Sequence, residues 1–403
     1  TLLHCGNLFV GTGNDLQREM TVVVERNKIT AVQRGYTSPT SQDRVIDLKD
    51  KTVLPGLIDM HVHMETQTRR GGAGDRFTQN VTDQAFQAAN YAKTTLLAGF
   101  TTVRDLGGSG INVALRNAIN QGITDGPRIM TVGKSIATTG GHADPTNGYR
   151  RDLMGDPGPL EGVINGPDEA RKAVRQRYKE GADLIKITAT GGVLSNAKDG
   201  QGPQFNDEEL KAVVETAKDY GFAVAAHAHG AEGIKRAIRA GVQTIEHGTF
   251  MDDEAIDLFK KYGTYYVATI IAGKTVADSA KMFGYYTALV TPKALAVGPK
   301  IQATFAKAYK AGVNIAFGTD AGVYVHGYNA KEFEYMVEAG MPPVEAIRSA
   351  LMTNAKLLKM DTQIGSIEAG KFADIIAVDD NPIQNIKTLQ SVKFVMKDGK
   401  QYK

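Results

Sequence analysis

Cysteine, long apolar runs and an excess of one charge are all scarce in this sequence, and each scarcity excludes a class of protein. The single cysteine, Cys5, excludes an internal disulfide and a cysteine-based metal cluster, and it leaves the redox compartment open. No uninterrupted apolar run approaches the roughly 20 residues that a membrane-spanning helix needs. The net charge of +3 is dispersed, so no basic stripe of the kind that binds nucleic acid is present.

The length and composition allow a large core. With 403 residues, 42% of them hydrophobic, the chain is long enough for two or three domains or for one α/β barrel. Any metal ligands must come from the eight histidines, from carboxylates or from a less usual group. The compartment stays open: the sequence fits a cytoplasmic protein, and equally a periplasmic or secreted one whose signal peptide was removed before Thr1.

The segment 53–64, VLPGLIDMHVHM, is an apolar run that crosses a Pro-Gly turn and ends in two histidines. Residues two apart in a β-strand share a face, so His61 and His63 are predicted to project together. An unpaired buried imidazole costs roughly 1–3 kcal/mol, and a shared metal ion would satisfy both rings. The alternative is a pair of half-exposed histidines bonded to water, and the rest of the chain must decide between the two.

From Pro55 onward, apolar strand candidates alternate with helical segments, most of which end in glycine, the residue expected just past a helix C-terminus. About eight strand–helix units predict a (β/α)₈ TIM barrel, and a doubly wound open sheet is the alternative. The barrel is preferred because polar residues end many of the strands, as barrel active sites require. The strands are predicted at 57–63, 100–104, 128–132, 184–188, 222–227, 243–247, 265–269 and 313–318.

Short strands separated by turn residues occupy both ends of the chain, first as an antiparallel meander over about 50 residues and again from Gly365. The first set looks incomplete alone, so residues 1–54 and 365–403 are predicted to form one small β-sandwich domain. The barrel, residues 55–364, would be inserted between its halves, which makes the fold class α/β. Long loops at 138–148 and 189–195 follow the third and fourth barrel strands, and loops of this length are usually functional.

Polar residues recur at the C-terminal ends of the predicted barrel strands: Lys186 in strand four, His227 and His229 in strand five, His247 in strand six and Asp320 after strand eight. The ends of barrel strands converge on one mouth, so these residues and the first two histidines predict a metal site. Burial would favour the neutral amine of Lys186; the alternatives are an amine that reaches out along the mouth or one that pairs with Asp320. For Asp320 the alternative is a carboxylate that only caps the following loop.

The same residues carry a resemblance to the amidohydrolase superfamily: HVH after an apolar strand, lysine in strand four, histidines at strands five and six, and aspartate in GTDAG. The stretches TTGGHADPTNG, KITATGGVLS, AAHAHGAEGIKRAI and IEHGT resemble one branch of it. That branch contains metal-dependent Xaa-Pro dipeptidases, Xaa-Arg/Lys carboxypeptidases, imidazolonepropionase-like hydrolases and ochratoxin-cleaving amidohydrolases. The match spans the chain, because the superfamily also splits a small β-domain around its barrel.

The resemblance implies two divalent metal ions, usually zinc, and a homo-oligomer. His61 and His63 would hold one ion with Asp320, and His227 and His247 the other. Lys186, N-carboxylated by carbon dioxide, would bridge them. Asp320 would also be the general base, with a pKa below neutrality because cations surround it.

Four further residues are candidate substrate contacts. His229, and His142 in the loop after strand three, would polarise the scissile carbonyl or bind a carboxylate; the alternative for each is a structural role. Tyr324 and His326, which follow Asp320, are weaker candidates.

Together these features predict a hydrolase that cleaves the amide bond of dipeptides or N-acyl amino acids with a free C-terminal carboxylate. Three alternatives stay open. The first is another chemistry of the superfamily, such as lactam, ester or phosphotriester hydrolysis, including imidazolonepropionase-like cleavage of cyclic amides. The second is a one-metal deaminase, in which Lys186 would have no role. The third is a non-catalytic metal-binding barrel, which would need no base. The sequence does not specify which amino acid leaves.

Overall fold

The computed structural model describes the backbone of all 403 residues and the side chains of all but residues 73 and 76. The strands are β1 (Leu2–Leu8), β2 (Gln17–Glu25), β3 (Lys28–Arg34), β4 (Val45–Pro55), β5 (Leu57–Val62), β6 (Phe100–Asp105), β7 (Arg128–Thr131), β8 (Ala137–Thr138), β9 (Val163–Ile164), β10 (Ile185–Thr188), β11 (Val224–Gly230), β12 (Thr244–Phe250), β13 (Tyr265–Val267), β14 (Ile375–Val378), β15 (Phe394–Lys397) and β16 (Lys400–Gln401).

The helices are α1 (Asp75–Thr78), α2 (Val81–Leu97), α3 (Ile111–Asn120), α4 (Arg151–Met154), α5 (Pro167–Lys179), α6 (Asp207–Asp219), α7 (Ala231–Ala240), α8 (Asp253–Tyr262), α9 (Ile270–Ala280), α10 (Val290–Lys310), α11 (Lys331–Glu338), α12 (Pro343–Arg348) and α13 (Asn354–Leu357). Short 3₁₀ turns lie at Gly72–Gly74 and Ile386–Gln390, and a π-helical turn lies at Ser349–Thr353. Among the helices described here, none combines the length and the apolar character needed to cross a membrane.

A single seven-stranded sheet, in the order β16-β15-β14-β4-β1-β2-β3, is built from both ends of the chain. Strands β1, β2 and β3 pair antiparallel as predicted, but β4 returns parallel to β1, so the N-terminal segment is not a simple meander. Strand β14 pairs antiparallel with β4 and joins the two termini. The strand predicted to begin at Gly365 does not form at 365–367. This segment is a loop, and Ile367 N donates to the carbonyl of Val10, just past β1, at 2.9 Å. The domain boundaries stay a prediction.

The (β/α)₈ barrel predicted from the strand–helix alternation is confirmed. Its strands lie in two parallel sheets, β5-β6-β7 and β10-β11-β12-β13, which bridges such as that between Ile136 and Ile187 join. Six helices end at the predicted glycines, and all six glycines have a positive φ: Gly99, Gly181, Gly221, Gly241, Gly263 and Gly312. That conformation favours a residue without Cβ.

The eighth predicted strand, 313–318, is an extended segment rather than a regular strand. It closes the barrel through backbone bonds on both sides: Ala316 N donates to Tyr266 O at 3.0 Å, and Met60 N donates to Phe317 O at 3.0 Å. The side chain of Asn354 also donates to Phe317 O, at 2.9 Å, and to Ile58 O. Phe317 O thus accepts both the backbone bond from Met60 N and the side-chain bond from Asn354, which ties this segment and β5 to α13.

Candidate metal centre

Strand β5 delivers His61 and His63 to the barrel mouth on one face, as predicted. Their Nε2 atoms lie 3.5 Å and 3.3 Å from Asp320 Oδ1. The opposite nitrogens face outward: His61 Nδ1 lies 2.9 Å from Glu246 Oε2, and His63 Nδ1 donates to Gly107 O at 2.7 Å. His61 is only 1% exposed, so the alternative of a water-bonded pair does not hold for it. An imidazole anchored through one nitrogen presents the other in the manner of a metal ligand.

Strands β11 and β12 supply a second group of three buried imidazoles. One donor nitrogen from each of His227, His229 and His247 lies within 4.8 Å of the others. His229 Nδ1 lies 2.9 Å from Thr249 Oγ1, and His247 Nδ1 lies 2.8 Å from Thr269 Oγ1. His227 instead donates from Nε2 to Gly191 O at 3.1 Å, which leaves its Nδ1 for a ligand.

The two groups meet at His247, whose ring centroid lies 5.1 Å from that of His61. One donor atom each from His61, His247 and Asp320 also falls within 4.8 Å of the others. The residues predicted as metal ligands are therefore adjacent in one mouth, and His229 lies among them.

Left-handed backbone conformations, which residues with a Cβ seldom adopt, occur at this mouth. The φ angles of His247, Thr269 and Asp320 are 72°, 52° and 61°. Successive residues of a regular strand face opposite sides, yet both Glu246 and His247 approach the ring of His61. The turn at His247 makes this convergence possible, and strain of this kind concentrates at functional sites.

Lys186 is 3% exposed and lies inside the barrel on β10. Among the described side chains, none lies within salt-bridge or hydrogen-bond distance of its Nζ, so the predicted alternative of a pair with Asp320 is wrong. Burial lowers the pKa of Lys186 to about 8. A pKa near 8 leaves a minor but appreciable fraction of the amine neutral and nucleophilic at physiological pH.

Asp320 does not cap its loop. Its Oδ1 atom is buried and accepts no hydrogen bond from the described residues. Burial raises the pKa of Asp320 above its ordinary value, and the positive charge of Lys186 only partly opposes this. The expected pKa below neutrality concerns the metal-loaded protein and stays a prediction; without metal ions, desolvation outweighs the one neighbouring cation.

The donor set fits divalent metal ions. Burial lowers the pKa of all the clustered imidazoles, to about 4 at His63 and about 3 at His229, so they are neutral and able to coordinate. An unpartnered carboxylate oxygen faces them, and zinc prefers nitrogen and oxygen donors of these kinds. We refer to the six predicted ligands as the ligand cluster: His61, His63, Lys186, His227, His247 and Asp320.

A second set of buried polar residues, here called the scaffold network, supports the cluster: Asp59, Arg104, Glu246, Thr319 and Asn329. Glu246 accepts from Arg104 Nη2 at 2.9 Å and also contacts His61. Asp59 accepts from His61 N, from Thr319 Oγ1 at 2.6 Å and from Asn329 Nδ2 at 2.9 Å. It thereby ties the first histidine to the residue before Asp320. None of these roles was predicted. A charged residue inside an apolar strand, as at Arg104 and Glu246, could have indicated a buried polar contact.

The ligand cluster lines a cavity of about 160 Å³ together with His142 and His229. The ring of His142 stacks on His227 with centroids 4.2 Å apart, and its Nδ1 is buried with no partner among the described residues. A Cβ on Gly192 would lie 2.1 Å from that nitrogen, so only glycine leaves room for the ring. The two long loops thus place His142 at the cavity, as predicted.

Tyr324 and His326 do not line the cavity, which corrects the prediction that they contact substrate. His326 Nε2 donates to Thr66 O at 2.9 Å, and its ring stacks on Tyr91. Both residues are buried behind the mouth, because the chain turns away after Asp320.

Catalytic residues of barrel enzymes lie at the C-terminal ends of the strands, where this cluster lies. The fold and the site thus define a barrel hydrolase, here one that acts on C–N bonds. The chain belongs to the amidohydrolase family, whose model matches residues 52–402.

Three relatives place the chain within that family. A solved Xaa-Pro dipeptidase with bound methionine in its active site is 55% identical, with a TM-score of 0.97, and the match covers 100% of this chain and 99% of the other. A solved prolidase complexed with N-methylphosphonate-L-proline is 31% identical, with a TM-score of 0.91 and coverage of 100% and 99%. Ochratoxinase from Aspergillus niger is 33% identical over 436 aligned positions, which cover 100% of this chain and 86% of that protein.

Proposed function

We propose that this protein uses two divalent metal ions to hydrolyse dipeptides or N-acyl amino acids that carry a free C-terminal carboxylate. The observation that carries the proposal is the buried Asp320 Oδ1, which has no hydrogen-bond partner among the described residues and lies within 3.5 Å of two anchored imidazoles. The dipeptidase, the prolidase and the ochratoxinase among its relatives support the substrate class.

The ligand cluster would hold both ions. His61, His63 and Asp320 would bind one, and His227 and His247 the other. The neutral amine of Lys186 would add to the carbon of carbon dioxide and lose a proton, which gives a carbamate with two oxygens for bridging. When bound, the ions lower the pKa of a water molecule and polarise the substrate carbonyl. The imidazole and carboxylate donors favour zinc.

The protein's own side chains would move the proton and orient the substrate. Asp320 would accept the proton of the attacking water and return it to the leaving amine. His229, fixed through Nδ1 by Thr249, would donate a hydrogen bond to the oxygen of the scissile carbonyl as negative charge develops there. His142, with an unpartnered nitrogen at the cavity, would hold the substrate carboxylate.

A panel of dipeptides and N-acyl amino acids, each paired with its C-terminal amide, tests this proposal with zinc-loaded protein. The free acids should be cleaved, and amidation should lower kcat/KM by about 10²-fold or more, because a charge-assisted contact is lost. Equal cleavage of acid and amide would contradict the carboxylate requirement. Preferential cleavage of a lactam or an ester in the same panel would point to another chemistry of the family.

A further inference from the structure

The cavity is lined by aliphatic side chains as well as by the ligand cluster. Six of these residues are here called the aliphatic wall: Val193, Leu194, Ala272, Val276, Val297 and Ile301. The last four belong to α9 and α10, the two helices that follow β13. A substrate in this cavity therefore meets both metal ligands and hydrocarbon.

The aliphatic wall is closely packed and has little room to adapt. A Cβ on Gly273 of α9 would lie 2.9 Å from Ile301, and a Cβ on Gly298 of α10 would lie 2.3 Å from Ala277. Glycine at these two positions lets α9 and α10 approach closely. Val276, Val297 and Ile301 are at most 3% exposed, so their positions are set by this contact.

The loop that supplies Val193 and Leu194 is fixed to α10. Lys293 of α10 donates from Nζ to three carbonyls of this loop: Gly192 O at 3.0 Å, Ser195 O at 2.7 Å and Ala197 O at 2.8 Å. Its ammonium is thus engaged by the loop backbone and does not line the cavity. The wall is continuous from α9 through α10 to the loop.

Charged groups at the cavity are confined to the ligand cluster. Among the lining residues whose side chains the structure describes, Asp320 is the only carboxylate and Lys186 the only lysine or arginine. Both are committed to the metal ions in the proposed function. A charged substrate side chain against the aliphatic wall would lose its hydration and gain no partner.

We infer that the leaving amino acid of the substrate has an apolar, uncharged side chain, such as that of methionine, leucine or norleucine, and this inference rests on the proposed function. The inference concerns the leaving residue because its carboxylate and its side chain are attached to the same α-carbon. His142, the proposed carboxylate partner, packs against Gly192, next to Val193 and Leu194. A carboxylate held there brings the side chain of the same residue to the wall. Arginine and lysine, which the carboxypeptidase side of the branch accepts, are thereby excluded.

Dipeptides matched in the carbon skeleton or the size of the leaving side chain test the inference in the zinc-loaded protein. Gly-norleucine and Gly-lysine differ only by the terminal ammonium, and Gly-methionine and Gly-glutamate are similar in size. We expect kcat/KM for the norleucine dipeptide to exceed that for the lysine dipeptide by about 10²-fold or more, since an unpaired charge would be buried. A ratio near one, or a preference for lysine or glutamate, would overturn the inference and leave the proposed function intact. No cleavage of any dipeptide or N-acyl amino acid would instead overturn the proposed function.

A substitution in the wall sharpens the test. Val297→Asp introduces a carboxylate on the cavity side of α10, and it should narrow the norleucine-to-lysine ratio at least tenfold. Leu295→Asp is the matched control, because Leu295 lies on the same helix and is 42% exposed. An equal change of the ratio in both variants would contradict the assignment of the wall. If Val297→Asp fails to fold, Val276→Asp on α9 replaces it, and the wild-type ratio still decides the inference.

Discussion

The scaffold network and the ligand cluster are both buried in the same barrel, but they differ in whether the oxygens of their carboxylates have partners. Both oxygens of Asp59 and both oxygens of Glu246 accept hydrogen bonds or ion pairs. In the ligand cluster, by contrast, Asp320 Oδ1 has no donor among the described residues. Two more unpartnered buried atoms, Thr188 Oγ1 and His142 Nδ1, line the same cavity.

Unpartnered buried atoms also occur away from the cavity, as at Arg104 Nη1, so it is the presence of three of them in one cavity that points to a ligand. Burying a polar atom without a partner costs about 1–3 kcal/mol, so several such atoms in one cavity must be offset by something that binds there. The scaffold network carries no such cost at its carboxylates. It instead fixes the direction in which the ligating nitrogens point.

Replacing Lys186 should have the largest effect on the cluster. Lys186→Ala removes the proposed bridging group, so we expect a loss of roughly 10³-fold or more in kcat/KM together with loss of metal. Short carboxylic acids added to this variant should restore part of both. Steady-state kinetics with and without added acid measures this. Full activity in Lys186→Arg would contradict the bridge, because a guanidinium cannot form this carbamate.

Asp320→Asn should act on the reaction more than on the fold. Asparagine keeps the shape and one oxygen but accepts no proton, so kcat should fall by roughly 10²–10⁴-fold, the usual contribution of a general base. Thermal unfolding should change little, and part of the metal should stay bound. A folded, metal-replete variant within a few-fold of the wild-type kcat would remove Asp320 from the mechanism.

Glu246→Gln tests the other side of the comparison. It leaves the buried Arg104 guanidinium without its carboxylate, which should lower the free energy of unfolding by about 3–5 kcal/mol. Denaturant unfolding of metal-free protein gives this value, and Asp320→Asn serves as the control. A larger loss of stability in Asp320→Asn than in Glu246→Gln would contradict the view that the scaffold network, rather than the ligand cluster, stabilises the fold.

Thr269→Ala should have a smaller effect, because it removes only the partner of His247 Nδ1. Metal affinity should fall by about 10–100-fold, as is usual when the hydrogen bond behind a ligating histidine is lost. Competition with a chelator measures it. Thr269→Ser keeps the hydroxyl and should retain wild-type affinity; an equal loss in both variants would mean that Thr269 acts through packing.

The sequence predicts which residues gather at the barrel mouth because its signals are local. The HVH motif relies on the two-residue period of a strand, and Lys186 and His247 are polar residues at the ends of apolar runs. The scaffold network depends instead on contacts between distant segments: Asp59 and Asn329 are 270 positions apart. The substrate contact predicted for His326 fails for the same reason, since the partner of its Nε2 lies 260 positions away.

The irregular parts of the fold also depend on tertiary context. The run 313–318 has a strand-like composition, but it joins β13 through an isolated bridge between Tyr266 and Ile315 rather than through a regular ladder. The parallel pairing of β4 with β1 likewise depends on the rest of the fold, because alternating hydrophobicity does not specify which strand pairs with which.

Metal stoichiometry is the most direct test of the central claim that the ligand cluster binds two ions bridged by Lys186. Elemental analysis of protein purified without chelators, beside the Lys186→Ala variant, makes the measurement. We predict two divalent ions per chain in the wild-type protein, and at most one in the variant while its fold persists. One ion or none in fully active wild-type protein, or two ions retained by Lys186→Ala, would contradict the account.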